Sequence, residues 1–172
     1  MTRNRRTTAI GLIVFGLVLV VFAIVYPFDD LAIEEVTKPT LPEQVAGEQL
    51  FSQVEGGAAV EEINQMHGKD FGLTDGARGS YGTNNEIIIW VSGSASEADA
   101  AQLVKEMRDK IAEGNSPFEP IGEELIDGRT VYELEGWGQM HYYFQSGNQV
   151  IWLAANPDLA EDALTEVLEY YP

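Results

Sequence analysis

Hydrophobic and polar positions follow three different patterns along this chain of 172 residues, and the first pattern is the simplest. Residues 7–28 carry no charged side chain and consist mainly of Ile, Leu, Val and Phe. About 20 helical residues, each rising about 1.5 Å, cross the ~30 Å hydrocarbon core of a bilayer. Inside lipid every backbone polar group must be paired within the segment, and a helix achieves this. The pattern therefore predicts one transmembrane helix at residues 9–28.

The charges on either side of this run predict the orientation of the chain. Three arginines lie within the first six residues, whereas residues 29–35 include four carboxylates and no basic residue. The positive-inside rule then places residues 1–8 in the cytoplasm and the remainder outside the cell membrane. A cleaved signal peptide is the alternative, although its apolar core is usually only ~7–15 residues long.

The second pattern, at residues 29–46, has no sustained period. It combines acidic residues with Pro39 and Pro42, and prolines favour extended backbone. We therefore expect an acidic, proline-containing stalk that separates the membrane from an extracytoplasmic domain at residues 47–172. That domain is long enough to bury a core of its own.

The third pattern, beyond the stalk, switches between the period of a helix and that of a strand. Apolar residues three and four apart predict three helices. The first helix is expected to start at Ala58. The second is expected to start near Ser94 or Ser96, because Ser94 with Glu97, or Ser96 with Asp99, would form a capping box. The third is expected to start at Asn156, which would be the N-cap before Pro157.

Runs rich in β-branched and aromatic residues predict strands between these helices. Asp127-Gly128 and Ser146-Gly147-Asn148 are typical hairpin turns, so consecutive strands are expected to run in opposite directions. We therefore expect an α+β fold with a mainly antiparallel sheet and helices packed on one face, preceded by the transmembrane helix. The predicted strands are 49–54, 80–81, 86–91, 118–126, 130–135, 139–144 and 149–155.

Two of these predicted strands, 86–91 and 149–155, are apolar on both faces. Trp90 and Trp152 extend the apolar surface to the side that helices on one face would leave uncovered. Either loops or N-terminal segments cover this apolar sheet face, or a partner protein binds there. The pattern leaves both interpretations open.

A strip of polar and aromatic residues lies on the predicted strand 139–144. Gln139, His141 and Tyr143 share one face of this strand, and Trp137 comes just before it. Hydrogen-bonding groups beside aromatic rings suit a sugar or a protein partner. We predict that these four residues form a partly exposed ligand or partner strip, the alternative being an ordinary solvent face.

Charge excludes two classes of partner. The chain has 28 acidic and 10 basic residues, a net charge of −18, and all 28 acids follow position 28. Such a surface repels nucleic acid and anionic lipid headgroups, so neither is an expected partner. Solubility or a salty environment explains the acidity, and a surface that attracts cations is the alternative. The absence of cysteine excludes disulfides, thiolate nucleophiles and thiolate-bound metals.

The residues form no catalytic constellation, and we favour a role without catalysis. Nucleophilic catalysis needs a base beside Ser or Thr, and only His67 and His141 offer an imidazole. Asp70, Asp75 and Gly76 lack the spacing of an EF-hand calcium loop. We therefore expect no catalytic residue, no metal site and no cofactor.

These patterns lead to a functional hypothesis. We predict a single-pass, membrane-anchored extracytoplasmic domain that binds another protein or a second copy of itself, as an accessory or structural subunit. A module that binds a small ligand or a cation is the alternative, and a carboxylate-based hydrolase is a lesser one.

Overall fold

The computed structural model describes residues 37–172, which contain three helices and eight strands. The helices are α1 (Gly57–His67), α2 (Glu97–Ala112) and α3 (Ala160–Tyr170). The strands are β1 (Gln44–Val45), β2 (Glu48–Glu55), β3 (Asp75–Tyr81), β4 (Ile87–Gly93), β5 (Glu119–Ile126), β6 (Arg129–Gly136), β7 (Gln139–Ser146) and β8 (Gln149–Ala155).

The eight strands form one sheet in the order β1-β2-β3-β4-β8-β7-β6-β5, and every neighbouring pair is antiparallel. The first half of the sheet consists of β1–β4 and the second half of β5–β8. The two halves join where β4 pairs with β8. In this central pair Trp90 lies opposite Trp152. The predicted α+β fold with a mainly antiparallel sheet is therefore confirmed.

Helices cover both faces of the sheet, so the expectation that they pack on one face is wrong. Ala163 of α3 packs in a core with Ile89 and Leu153. Val104 of α2 packs on the opposite face with Val150, and α1 lies on that face too. Because the central strands are apolar on both faces, the hydrophobic effect favours cover on both.

Tight turns join the strands of the second half. Asp127 and Gly128 have φ of 50° and 81°, as a type I′ turn requires, and this predicted hairpin is confirmed. Trp137 and Gly138 form a similar turn between β6 and β7, with φ of 52° and 79°. The sequence does not predict the second turn, because a tryptophan rarely adopts a left-handed conformation.

The starts of α2 and α3 differ in how well the sequence predicts them. The Asp99 amide donates a hydrogen bond to Ser96 Oγ at 3.1 Å, so the second of the two possible capping boxes is correct. The third helix starts at Ala160, later than predicted. The Asn156 side chain accepts a hydrogen bond from Gln139 Nε2 at 3.2 Å instead of capping a helix.

Residues 37–46, which we call the strap, belong to the folded domain, so the predicted boundary of the stalk is wrong in this part. Gln149 Nε2 donates to the Thr37 carbonyl at 2.9 Å. The Tyr171 hydroxyl donates to the Thr40 carbonyl at 2.7 Å. These donors come from residues over 100 positions away, and a local sequence pattern cannot reveal such pairing.

Within residues 37–172, no helix is both long enough and apolar enough to cross a bilayer. The predicted transmembrane helix at residues 9–28, the cytoplasmic segment before it and the first part of the predicted stalk lie outside the described residues.

We expect Tyr81→Phe to destabilise the domain by about 1–3 kcal/mol, because it leaves a buried carbonyl of the strap without a donor. The Tyr81 hydroxyl donates to the Pro42 carbonyl at 3.0 Å, and both residues are buried. Urea unfolding of the full chain, followed by circular dichroism, measures the change. Tyr170→Phe is the control, since the exposed Tyr170 hydroxyl bonds Thr40 Oγ1 at 3.2 Å. An equal loss in both variants would contradict the prediction.

Candidate functional site

The sheet face beneath α1 and α2 contains a cleft of about 510 Å³, which we call the tryptophan cleft. Trp90 and Ser92 of β4, together with Val150 and Trp152 of β8, form its floor. Its walls are apolar side chains of the two helices: Ile63 and Met66 from α1, and Leu103, Met107 and Ile111 from α2.

The cleft exists because the two helices rest on different parts of the sheet. α1 packs on β2 and β3, while α2 packs on β5, β7 and β8. Gly76 of β3 allows α1 to lie close, because a Cβ there would come within 3.2 Å of the Val60 nitrogen. The helices therefore stand apart above β4, and part of the apolar floor remains open between them.

A row of four aromatic side chains crosses the sheet and ends in the cleft. Tyr132, Tyr143, Trp152 and Trp90, the aromatic row, lie directly opposite one another on β6, β7, β8 and β4. The rings of Tyr132 and Tyr143 stack with centroids 4.7 Å apart, and those of Tyr143 and Trp152 with centroids 5.5 Å apart. Directly opposed aromatic pairs stabilise a sheet and restrict their own rotamers.

Hydrogen bonds fix the orientation of Trp152 in this row. Its Nε1–H donates to His141 Nδ1 at 3.1 Å. Because Nδ1 accepts, the proton of the neutral imidazole is on Nε2, which donates to the Gly136 carbonyl at 3.0 Å. Phe118 packs against both rings, 4.7 Å from His141 and 5.0 Å from Trp152. The cleft floor is therefore held rigidly on this side.

His141 is suited to this structural role and not to acid–base chemistry. Its burial lowers its pKa, although the hydrogen bond to Gly136 acts in the opposite direction. Both ring nitrogens are already engaged. His141 is only 2% exposed and Tyr143 is buried as well, so the expectation of a partly exposed strip is wrong for these two residues. The physical reason is the cover that Phe118 and α2 provide.

The other two residues of the predicted strip lie nearer the surface. Trp137 is 74% exposed, lines the cleft and packs edge-on against Phe118 with centroids 4.9 Å apart. Gln139 also lines the cleft, and its amide nitrogen donates to Asn156 Oδ1. The structure thus brings Trp137, Gln139 and His141 together with Trp90 and Trp152 around one cavity.

Tyr143 alone among the predicted site residues does not line the cleft; it lies beneath Trp152 in the aromatic row. All three tryptophans of the chain line the cleft. The two sets of residues that the sequence analysis treated separately, the strip and the apolar sheet face, therefore meet in a single cavity. Whether they bind anything stays a prediction.

The local charge of the cleft contrasts with that of the whole protein. Within residues 37–172, no residue that lines it is acidic, although the chain carries 28 Asp and Glu. Lys110 lines its edge and pairs with Glu113, with Nζ 2.6 Å from the carboxylate oxygen. The site is therefore an apolar and almost uncharged cavity in a strongly acidic protein.

The chemistry of the cleft favours binding. In the part of the chain that the structure describes, no group of three or more His, Asp or Glu side chains is arranged to hold a metal ion. The cleft instead offers large aromatic surfaces and two methionines, Met66 and Met107, whose flexible side chains adapt to different shapes. Such a site can bury an apolar molecule.

The helical walls of the cleft are not predicted by the sequence. Ile63, Leu103, Met107 and Ile111 belong to apolar stripes, and these stripes read as ordinary core. The only available signal was the conflict between the doubly apolar strands and the limited cover expected for them. A stripe indicates which side of a helix is buried, but it does not indicate whether a space remains beneath it.

The fold and the cleft together define an antiparallel α+β domain with an apolar cavity between two helices and the sheet. No protein-family model, curated protein or solved structure matches the chain significantly.

We expect His141 to contribute a loss of thermal stability to the full chain as the pH is lowered from 7.5 to 5.5. An unfolded histidine has a pKa of about 6.5, and burial lowers the pKa of folded His141. The neutral ring therefore contributes its full stability above about pH 6.5 and loses it as the pH falls through the folded value. Melting temperatures across this range, from circular dichroism in one mild detergent, measure the dependence.

His141→Gln should reduce this slope, since an amide oxygen still accepts from Trp152 but does not titrate in this range. His67→Gln is the matched control. It also removes an imidazole, but His67 does not belong to the aromatic row and takes no part in the hydrogen bonds that hold Trp152. Identical slopes in the wild type and in His141→Gln would show that the contribution assigned to His141 is wrong.

Proposed function

We propose that residues 37–172 form a binding module for a small apolar ligand, with the tryptophan cleft as its site. The observation that carries the proposal is the cavity of about 510 Å³ with its aromatic floor and apolar walls. Small-molecule sites typically have volumes of ~300–1,000 Å³, mainly apolar linings and a few polar groups. This favours the small-ligand alternative over the protein-binding role that the sequence analysis put first.

We propose further that this module works at the outer surface of the cell membrane. The apolar run at residues 9–28, with arginines before it and acidic residues after it, supports a single-pass anchor with a cytoplasmic N-terminus. Apolar molecules concentrate in the bilayer because water disfavours them. A tethered domain with an apolar cleft is thus placed near a supply of such ligands.

We expect an uncharged apolar dye, N-phenyl-1-naphthylamine, to quench the tryptophan fluorescence of the full chain saturably. The quenching reports on the cleft because all three tryptophans line it. Met107→Glu should weaken binding at least about tenfold, since the dye would then desolvate a carboxylate that has no partner. Titrations of both proteins at one detergent concentration measure the difference, because micelles then take up the dye equally.

Gln102→Glu is the matched control for this experiment. It adds the same negative charge to the same helix, at an exposed position that does not line the cleft. The control should bind the dye like the wild type. Quenching that is unsaturable, or equal in all three proteins, would refute the cleft as the binding site.

A protein partner is the second candidate function, and the outermost strand β5 is the observation that favours it. β5 lies at one edge of the sheet, and within the described residues it pairs with β6 alone. Two of its apolar side chains are exposed, Ile121 by 52% and Leu125 by 71%. An edge strand with exposed apolar residues can accept a further strand from another chain.

If β5 binds a second copy or another subunit, the full chain extracted from its native membrane in mild detergent should have a native mass above that of the monomer. Leu125→Lys should shift the mass to that of the monomer, because the charge would be buried in the interface. Light scattering coupled to size-exclusion chromatography measures the mass. Thr165→Lys, at an exposed position on α3, is the control. A monomeric wild type would refute this candidate.

A further inference from the structure

Most polar groups around the tryptophan cleft already have hydrogen-bond partners. The Trp152 indole N–H is taken by His141, and the second His141 nitrogen is taken by the Gly136 carbonyl. The amide nitrogen of Gln139 is directed to Asn156 Oδ1. These groups therefore maintain the shape of the cleft, and a ligand could reach them only by breaking internal bonds.

Two groups on the floor of the cleft, both on β4, differ from these three residues. Neither the Trp90 indole N–H nor the Ser92 hydroxyl makes a hydrogen bond within residues 37–172, although the two residues line the cleft. They are two positions apart on one strand, so their side chains share the face that forms the cleft floor. An indole N–H can only donate, and a hydroxyl can donate as well.

The charges around these two groups limit the ligand further. The cleft residues in the described part of the chain include no carboxylate, so a cationic ligand would lose its hydration without gaining a counter-ion. Lys110, the one Lys or Arg among the described residues that line the cleft, is at its edge and already paired with Glu113. An anionic ligand would also approach against the net charge of −18.

We propose that the tryptophan cleft selects uncharged apolar molecules that carry a hydrogen-bond acceptor, such as a carbonyl group, and that Trp90 Nε1–H and the Ser92 hydroxyl bind this acceptor. The inference rests on the proposed function and deepens it. The apolar walls supply affinity for any molecule of the right size. The two donors on β4 distinguish a ketone or an ester from a hydrocarbon of the same shape.

Three naphthalene probes of nearly identical shape test this selectivity: 2-acetylnaphthalene, 2-isopropylnaphthalene and 1-(2-naphthyl)ethylammonium. The first carries a carbonyl acceptor, the second is apolar and the third is cationic. Each is titrated into the full chain in mild detergent by calorimetry, and each affinity is corrected for the probe's partition into protein-free micelles. A salt concentration of about 0.5 M screens the charge of the protein surface, so that the cleft itself is compared.

Two variants separate the role of the donors from that of the cleft shape. Trp90→Phe removes the indole N–H and keeps an aromatic ring, and Ser92→Ala removes the hydroxyl. We expect each to weaken the acetyl probe about fivefold more than the isopropyl probe, as the loss of one net hydrogen bond predicts. The two probes have the same shape, so a change of cavity size in a variant alters both affinities equally. The ratio of the two affinities therefore reports only the lost hydrogen bond.

We expect the wild type to bind the acetyl probe at least tenfold more tightly than the ammonium probe. Equal weakening of the acetyl and isopropyl probes in both variants would overturn the role of the two donors while leaving the cleft as an apolar binding site. Tight binding of the ammonium probe would overturn the preference for uncharged ligands. Failure of all three probes to bind would overturn the proposed function itself.

Discussion

The hydrogen bond from Trp152 to His141 is the interaction on which the organisation of the cleft depends. It links the aromatic row to the backbone, because His141 accepts from Trp152 through Nδ1 and donates to the Gly136 carbonyl through Nε2. Breaking this bond is costly on the acceptor side, because the buried Nδ1 of His141 is then left without a partner. The indole of Trp152 therefore has one orientation, stacked on Tyr143, and the floor of the cleft has one shape.

The helices explain why this floor is not fully covered. The α3 face of the sheet is closed by a continuous core, whereas α1 and α2 divide the other face between them. The close approach of α1 at Gly76 draws that helix towards the first half of the sheet. A well-packed protein leaves few spaces larger than a water molecule. A cavity of about 510 Å³ lined by three tryptophans therefore departs from the close packing that is usual in protein interiors.

The sequence predicts the elements better than their arrangement. β-Branched runs and the Asp127-Gly128 turn are local signals, and the structure confirms this hairpin and most of the strands. The exceptions are β1, which lies in the predicted stalk, and β3, which is longer than the predicted strand 80–81. The doubly apolar strands single out Trp90 and Trp152, and both residues line the cleft. The burial of His141 and the docking of the strap depend on residues distant in sequence, such as Phe118 and Tyr171. No local period contains that information, and the same limit concealed the helical walls of the cleft.

Finally, the contrast between the surface and the cleft bears on where such a site can operate. The repulsion among carboxylates of a chain with a net charge of −18 depends on ionic strength, with a screening length of about 8 Å at 0.15 M salt. The described residues that line the cleft include no carboxylate, so burial of apolar surface there does not depend on screening, and excluded salts tend to strengthen it. Separation of the charged residues from the cleft would thus let the affinity for the proposed ligand persist where surface electrostatics change greatly. A strongly acidic surface and a neutral, aromatic cavity are therefore compatible properties of one domain.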